Sequence, residues 1–290
     1  MDKNIQLKHF EIPDIERVLW LDPIDALIAC ASTQNISHVM EIGVYKGGWA
    51  LTTLLNSNSH KVYGIDPYPG LESIHSDLKS HIIKLQLASR FFLFDSKTEF
   101  INKNSNLLNS FSIIHIDGEH TESAVQSDLE FAIKLLDENG IIIVDDFFDR
   151  RFPGVSSALL FFMKAYDFRI YLITDHKAYL CKSSIHENMF NKNLTLLTEF
   201  GLNFSTGFPK GAFSENYDQP NSILGFNNIL LRTSQNIGKV RSYHSPSINK
   251  KIINILKLVT PLILVKVAKF FINKSKVIIH KTYVVFQNHI

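Results

Sequence analysis

Two short runs of β-branched residues, each closing on acids and separated by a stretch with helical spacing, constrain this chain more than anything else in it. The first is Ser112-Ile113-Ile114-His115-Ile116-Asp117-Gly118-Glu119-His120; the second is Gly140-Ile141-Ile142-Ile143-Val144-Asp145-Asp146-Phe147-Phe148. Continuous apolar runs of this length predict strands buried on both faces, as in a parallel sheet. Between them, over residues 121–139, Ala124, Val125, Leu129, Ala132, Ile133, Leu135 and Leu136 recur at helical spacing, and Gly140 follows as a candidate C-cap. Strand, helix, strand in that order is a right-handed crossover. It delivers Asp117 and the Asp145–Asp146 pair to the C-terminal edge of the sheet, where open α/β folds bind ligands. Three carboxylates gathered there repel one another, and a hard divalent cation with oxygen ligands would offset that repulsion.

The alternation extends along the chain. Strands are expected over residues 38–43, 61–66 and 90–94, and helices over 50–55, 71–89, 97–108 and 153–166. Residues 168–174 and 178–182 read as a strand pair around Asp175-His176-Lys177. Residues 14–32 read as a helix or helix pair broken near Pro23, while 183–241, rich in Asn, Phe and Ser, reads as loops with a strand over 228–232. The expected fold class is α/β, a doubly wound, mostly parallel sheet with helices on both faces. The expected division is a helical extension (1–34), a catalytic domain (35–185), an irregular region (186–245) and a C-terminal tail (246–290).

Composition sharpens this division. The net charge of +2 conceals a tail with eleven Lys and Arg and no acid after Asp218, leaving the preceding body at −9. The two cysteines, Cys30 and Cys181, make no disulfide framework, which favours a reducing compartment, and the first residues lack the apolar run of a secretory signal. A cytoplasmic location is therefore expected.

Glu41-Ile42-Gly43-Val44-Tyr45-Lys46-Gly47-Gly48 lies between an expected strand and helix. Glycines there let the backbone approach a ligand, and a helix N-terminus favours an anionic group. The loop departs from the dinucleotide pattern, since Tyr45 takes the place of its middle glycine. Asp66 ends the second strand, where an acid binds ribose hydroxyls or simply opens a turn before Pro67. Asp95 and Ser96 end the third strand; they either meet the adenine edge of a cofactor or cap the following helix.

Taken in order, E-I-G-V-x-x-G, the I-D-P strand end, I-D-G-x-H and G-x-x-x-V-D-D resemble the class I S-adenosylmethionine-dependent methyltransferases. Within that family, the likeness is to the metal-dependent O-methyltransferases that modify macrolide sugars, and it covers roughly residues 35–182. The resemblance implies a seven-stranded sheet with its last strand antiparallel. It implies that the loop of Glu41, Gly43 and Gly47, together with Asp66, holds S-adenosylmethionine. It also implies that Asp117, Asp145 and Asp146 hold Mg²⁺ or Mn²⁺, and that His120 is the general base with Asp117 beside it. One departure is Trp49, which stands where a small hydroxyl residue often follows the loop. Backbone donors would then take over the contact to the methionine carboxylate.

The chemistry of these residue types agrees with that implication. An alcohol is a poor nucleophile until it loses its proton, a divalent ion lowers the pKa of an oxygen it binds, and an imidazole accepts the proton. Of the 12 histidines, His120 lies just past a strand end beside the acids, whereas His115, inside the strand, reads as a core residue. The expected acceptor is a hydroxyl of a small molecule or glycan. Two other readings stay open: a cephalosporin-hydroxylase-like enzyme on the same scaffold, and a non-catalytic cofactor-binding protein recruited to a membrane.

The tail mixes Ile, Leu, Val and Phe with single lysines, and Pro261, Lys266 and Lys269 interrupt its longest apolar stretch. That pattern suits a basic helix at a membrane surface, or helices packed on the body or on a second copy in a homo-oligomer, better than a spanning segment. No nucleic-acid partner is expected, because the body is acidic.

Overall fold

The computed structural model describes residues 23–33, 36–56, 60–206, 222–223 and 226–231. The tail, and the first part of the expected N-terminal helix, lie outside the described residues. Strand and helix alternate as β1 (His38–Ile42), α2 (Gly48–Leu55), β2 (Lys61–Ile65), α3 (Glu72–Lys84), β3 (Phe91–Phe94), α4 (Lys97–Asn104), β4 (Phe111–Ile116), α5 (Glu122–Leu135), β5 (Leu136–Val144) and α6 (Pro153–Ala165). Before them stands α1 (Pro23–Ser32); after them come β6 (Phe168–Ile173), β7 (Ala178–Lys182) and α7 (His186–Glu199). Four short strands follow: β8 (Phe204–Ser205), β9 (Ser222–Ile223), β10 (Phe226–Asn227) and β11 (Ile229–Leu231).

The main sheet runs β3-β2-β1-β4-β5-β7-β6-β11-β8. Strands β1 to β5 pair in parallel, and β7 inserts antiparallel between β5 and β6. This is the doubly wound order expected for the first seven strands, with the antiparallel β7 last in sequence. The sheet nevertheless has nine strands, because β11 adds parallel to β6 and β8 antiparallel to β11.

Side chains alternate between two cores, as the pleat requires. Val39, Val62, Ile113, Ile141 and Ile143 face a layer that includes Ile28, Trp49, Leu51, Leu78 and Leu197. Met40, Tyr63, Ile114, Ile142 and Val144 face Phe100, Leu129, Leu159 and Phe162 on the other side. Helices thus cover both faces, which leaves only the strand ends to meet a ligand.

Two local expectations change. Gly140 is not a helix cap: α5 stops at Leu135, Leu136 is already extended, and 136–139 belong to β5. Gly140 is small for a packing reason, since a Cβ there would lie 2.7 Å from Leu136 Cδ1 and 2.8 Å from the Phe111 carbonyl oxygen. Pro23 opens α1, at a position where the missing N–H costs nothing. The region expected as loops contains α7, whose buried stripe of His186, Met189, Asn193, Leu196 and Leu197 is partly polar and so hides its periodicity. Asn193 is satisfied there by Ser32 Oγ, which donates to its Oδ1 at 2.7 Å, and by the Met189 carbonyl, which accepts from its Nδ2 at 2.8 Å. Among the described residues, no helix is long and apolar enough to cross a membrane.

Candidate active site

The last residues of the five parallel strands stand in register: Phe94 beside Ile65, Ile65 beside Ile42, Ile42 beside Ile116, and Ile116 beside Val144. The residue after each strand therefore forms one more rung. Asp66 N donates to Phe94 O at 3.0 Å, Gly43 N to Ile65 O at 2.9 Å, Asp117 N to Ile42 O at 2.8 Å, and Asp145 N to Ile116 O at 2.9 Å. Asp95, Asp66, Gly43, Asp117 and Asp145 thus line the C-terminal edge in that order. The strand order reverses between β1 and β4, the switch point where such sheets open a crevice.

The β1–α2 loop is a wound structure. Gly43, Tyr45 and Gly47 all have positive φ, at 84°, 47° and 74°. Asp66 holds the loop shut: its Oδ2 accepts from Val44 N at 2.9 Å and Tyr45 N at 2.8 Å, while its Oδ1 accepts from Tyr68 N at 2.8 Å. A carboxylate offers roughly four acceptor directions, so about one remains for a ribose hydroxyl. A Cβ on Gly43 would meet the Asp117 carbonyl oxygen at 1.9 Å, so the absence of a side chain lets the loop pack directly on the end of β4. At Gly47 the close neighbour is Leu78 Cδ1, 2.5 Å from the ideal Cβ position.

Glu41 is internal. It is 2% exposed and contacts His115 Nδ1 through Oε1 at 3.2 Å. Burial, helped by the charge of Asp117, raises its pKa well above the carboxylate range; burial and Lys177 drive His115 well below its usual value. Both shifts favour the neutral forms of this buried pair beneath the site. His115 also stacks on Trp49, with centroids 4.5 Å apart. His115 Nε2 and Trp49 Nε1 are buried and have no hydrogen-bond partner. At β3, Ser96 Oγ accepts from Glu99 N at 3.1 Å and Glu99 Oε2 accepts from Asp95 N at 2.7 Å, a capping box. Ser96 is the helix cap, and the exposed Asp95 carboxylate is the group left facing the edge.

His120 is held between α5 and α6. It stacks on Phe152 at 4.1 Å, and Gly154 packs so tightly here that a Cβ would lie 3.1 Å from the His120 carbonyl oxygen. Its Nε2 stands 2.8 Å from Asp146 Oδ2 and 3.9 Å from Asp117 Oδ1. Asp146 adopts φ 55°, an uncommon conformation for a residue with a side chain, and its N–H donates to Asp145 Oδ1 at 2.8 Å. Farther out, Asp149 and Arg151 pair with each other at 2.6 Å instead of facing the edge.

The acids fall into two overlapping groups that share Asp117. Ligand atoms of Asp117, His120 and Asp146 lie within 4.8 Å of one another, and so do those of His115, Asp117 and Asp145. The trio Asp117, Asp145 and Asp146 is divided between them. Burial and then Asp145 raise Asp117 well above the carboxylate range, and the same two causes raise Asp146. Asp145 behaves oppositely. Burial pushes it up, but the Lys177 ammonium, paired with Asp145 Oδ2, holds it at about 2.

Lys177 went unrecognised in the sequence. It is 7% exposed, at the turn between β6 and β7. Burial alone would lower its pKa, yet Asp145 and Asp117 hold it above the usual lysine value. A single lysine in a hairpin turn carries no signal of this role; only the insertion of β7 beside β5 brings it to the acids.

The donors fit the implied groups. Asp95, the open direction on Asp66 and the α2 N-terminus follow one another along adjacent strand ends, as a nucleoside with a charged tail requires. Asp117 and Asp146, both raised by burial and then by like charge, offer oxygens whose repulsion a hard cation would relieve.

Residues 40–147 match the family model of a methyltransferase domain. The chain is 28% identical over 131 residues to an uncharacterized protein of Acanthamoeba polyphaga mimivirus, a match over 41% of this chain and 56% of that one. It thus spans little more than half the length of that relative. It is similar to the Bacillus cereus O-methyltransferase solved with S-adenosylhomocysteine, at 15% identity and TM-score 0.45 over 59% of this chain and 82% of that one. It is likewise similar to the TDP-rhamnose 3'-O-methyltransferase of calicheamicin biosynthesis, at 16% identity and TM-score 0.45 over 57% and 81%. A third similar structure is the Streptomyces achromogenes O-methyltransferase of tomaymycin synthesis, bound to S-adenosylmethionine, at 12% identity and TM-score 0.46 over 63% and 90%.

Proposed function

We propose, taking as premise the class I S-adenosylmethionine-dependent methyltransferase domain that residues 40–147 form, that this chain methylates a hydroxyl oxygen of a sugar, glycan or related small molecule with the help of a divalent cation. The observation that carries the reading is His120 Nε2 at 2.8 Å from Asp146, on the same edge as the Gly43–Gly47 loop and the Asp66 that braces it. The choice of a sugar or glycan acceptor is supported by the likeness of the D-G-x-H and D-D motifs alone.

S-adenosylmethionine, when bound, supplies an activated methyl group; Asp66, Asp95 and the α2 N-terminus would hold it. A divalent ion, when bound, supplies Lewis acidity; Asp117 and Asp146 are the acids placed to hold it. The remaining work belongs to side chains. His120 takes the proton of the acceptor hydroxyl, with the Asp146 carboxylate 2.8 Å from its Nε2. Phe152 keeps the ring in place by stacking, so the base meets the acceptor in one orientation. Nearby, Phe148 is 63% exposed and offers a flat apolar surface to an acceptor ring.

Two measurements test this. S-adenosylhomocysteine should raise the melting temperature, since a ligand of the native state stabilises it. Extracts of cells with and without the gene should differ by a product heavier by one methyl group, roughly +14 in nominal mass, where a hydroxylase would add roughly +16. Absence of any thermal shift at saturating ligand would remove the cofactor from the reading. Full turnover in excess chelator would remove the cation and leave methyl transfer standing.

A further inference from the structure

We infer that Lys177 takes the place of a divalent cation at Asp145, so that an ion at this sheet edge is held by Asp117 and Asp146 and not by all three aspartates. This rests on the proposed function only for the presence of an ion. The ammonium pairs with Asp145 Oδ2, and the lysine is 7% exposed. The turn that carries it is fastened on both sides. Thr174 N donates to Lys177 O at 2.8 Å, and Lys177 N to Thr174 Oγ1 at 3.1 Å. Phe147 N donates to His176 O at 3.1 Å, tying the same turn to the loop that carries Asp145 and Asp146.

A fixed positive charge on Asp145 repels a second cation at that carboxylate, and more strongly at low dielectric. On the other side of Asp117, among the described residues, the side chain paired with Asp146 is His120 and not a lysine or arginine. There Asp146 and His120 bring their ligand atoms within 4.8 Å of that of Asp117 and of each other. A small hard ion prefers oxygen to imidazole and commonly takes one or two carboxylates with water completing its shell. Asp117 and Asp146 meet that need and leave His120 free to move a proton. The division of the acids follows from topology: β7 inserts beside β5, so its preceding turn reaches Asp145 on one flank, while the α5 and α6 termini flank Asp146 on the other.

The test is Mn²⁺ binding to the full chain, read from the loss of the free-ion paramagnetic resonance signal, with thermal unfolding confirming that each variant is folded. Lys177→Met alone leaves Asp145 buried without its partner and risks the fold, so the deciding variant is Lys177→Met with Asp145→Asn, which removes the pair together. That double variant should bind Mn²⁺ within about threefold of wild type, whereas Asp146→Asn should lose at least about tenfold. A larger loss in the double variant would make Asp145 a ligand and overturn the inference, as would retention in Asp146→Asn. Should folded wild type bind no Mn²⁺, Asp117 and Asp146 hold no ion and the inference is overturned as well. The S-adenosylhomocysteine melting shift reports separately on cofactor binding, so the two readings fail in different experiments.

Discussion

Gly43 and Asp117 touch through backbone alone: a Cβ on Gly43 would lie 1.9 Å from the Asp117 carbonyl oxygen. The contact locks the loop after β1 to the acid-bearing end of β4, so the two halves of the candidate site share one seam. Gly43 also has φ 84°. Alanine there should cost at least about 3 kcal/mol of stability and abolish the S-adenosylhomocysteine shift. Gly70 is the control: its φ is 69°, but nothing lies within 4 Å of its Cβ position, so Gly70→Ala should cost only roughly 1 kcal/mol. Urea unfolding of both variants gives the comparison, and similar costs would show that the seam does not matter.

Asp66 has a double duty. It braces the loop through Val44 N and Tyr45 N and has about one acceptor direction left. Asp66→Ala should lower stability by roughly 1–3 kcal/mol, because three amides lose their acceptor, and should remove most of the cofactor-induced melting shift. A variant that melts lower yet keeps the full shift would leave the carboxylate a brace only.

His120→Ala should reduce turnover by about 10²–10⁴-fold while leaving the S-adenosylhomocysteine shift intact. A loss below about threefold would move the base elsewhere, with Asp117 next in line.

Acid should destabilise the protein through His60, far from the site. It is fully buried, neither ring nitrogen has a partner, and burial followed by the charge of Arg90 pushes its pKa down to about 3. The unfolded chain therefore takes up a proton near pH 6.5 that the folded chain refuses until about pH 3. The stability that neutral His60 contributes is complete above pH 6.5 and is lost as pH falls towards 3. Between pH 7 and 4.5 this amounts to roughly 2–3 kcal/mol. His60→Leu should flatten the urea-derived stability curve over that range; parallel curves would discard the assignment.

The basic tail is expected, from its sequence, to bind an anionic membrane surface and bring the site near a lipid-linked or membrane-proximal acceptor. Each lysine near such a surface contributes on the order of 1 kcal/mol, so binding should weaken steeply with salt. Co-sedimentation with neutral and anionic liposomes, comparing the full chain with one ending at Ser247, measures this. Equal sedimentation of both chains would leave packing on the body or on a second copy as the tail's role.

The row of strand ends was legible from sequence alone. The run from Ile113 to Asp117 and the run from Ile141 to Asp145 each encode a buried strand and the acid that leaves it, and their helical spacer dictates a parallel crossover. Those signals are local, so periodicity and turn chemistry suffice to read them. What escaped depends on contacts between distant segments. Ser96 had two roles open and took the helix cap, and Glu41 turned inward to His115, because burial and neighbouring donors, not spacing, decide what a polar group does. The partial polarity of α7 hid a helix that packs through Asn193 against Ser32, 161 residues away in sequence. Above all, the positive partner that clustered acids require came in part from Lys177, 32 residues beyond Asp145. Only the tertiary structure could decide that, since the repulsion among carboxylates fixes the need for a cation but not whether an ion or a side chain brings it.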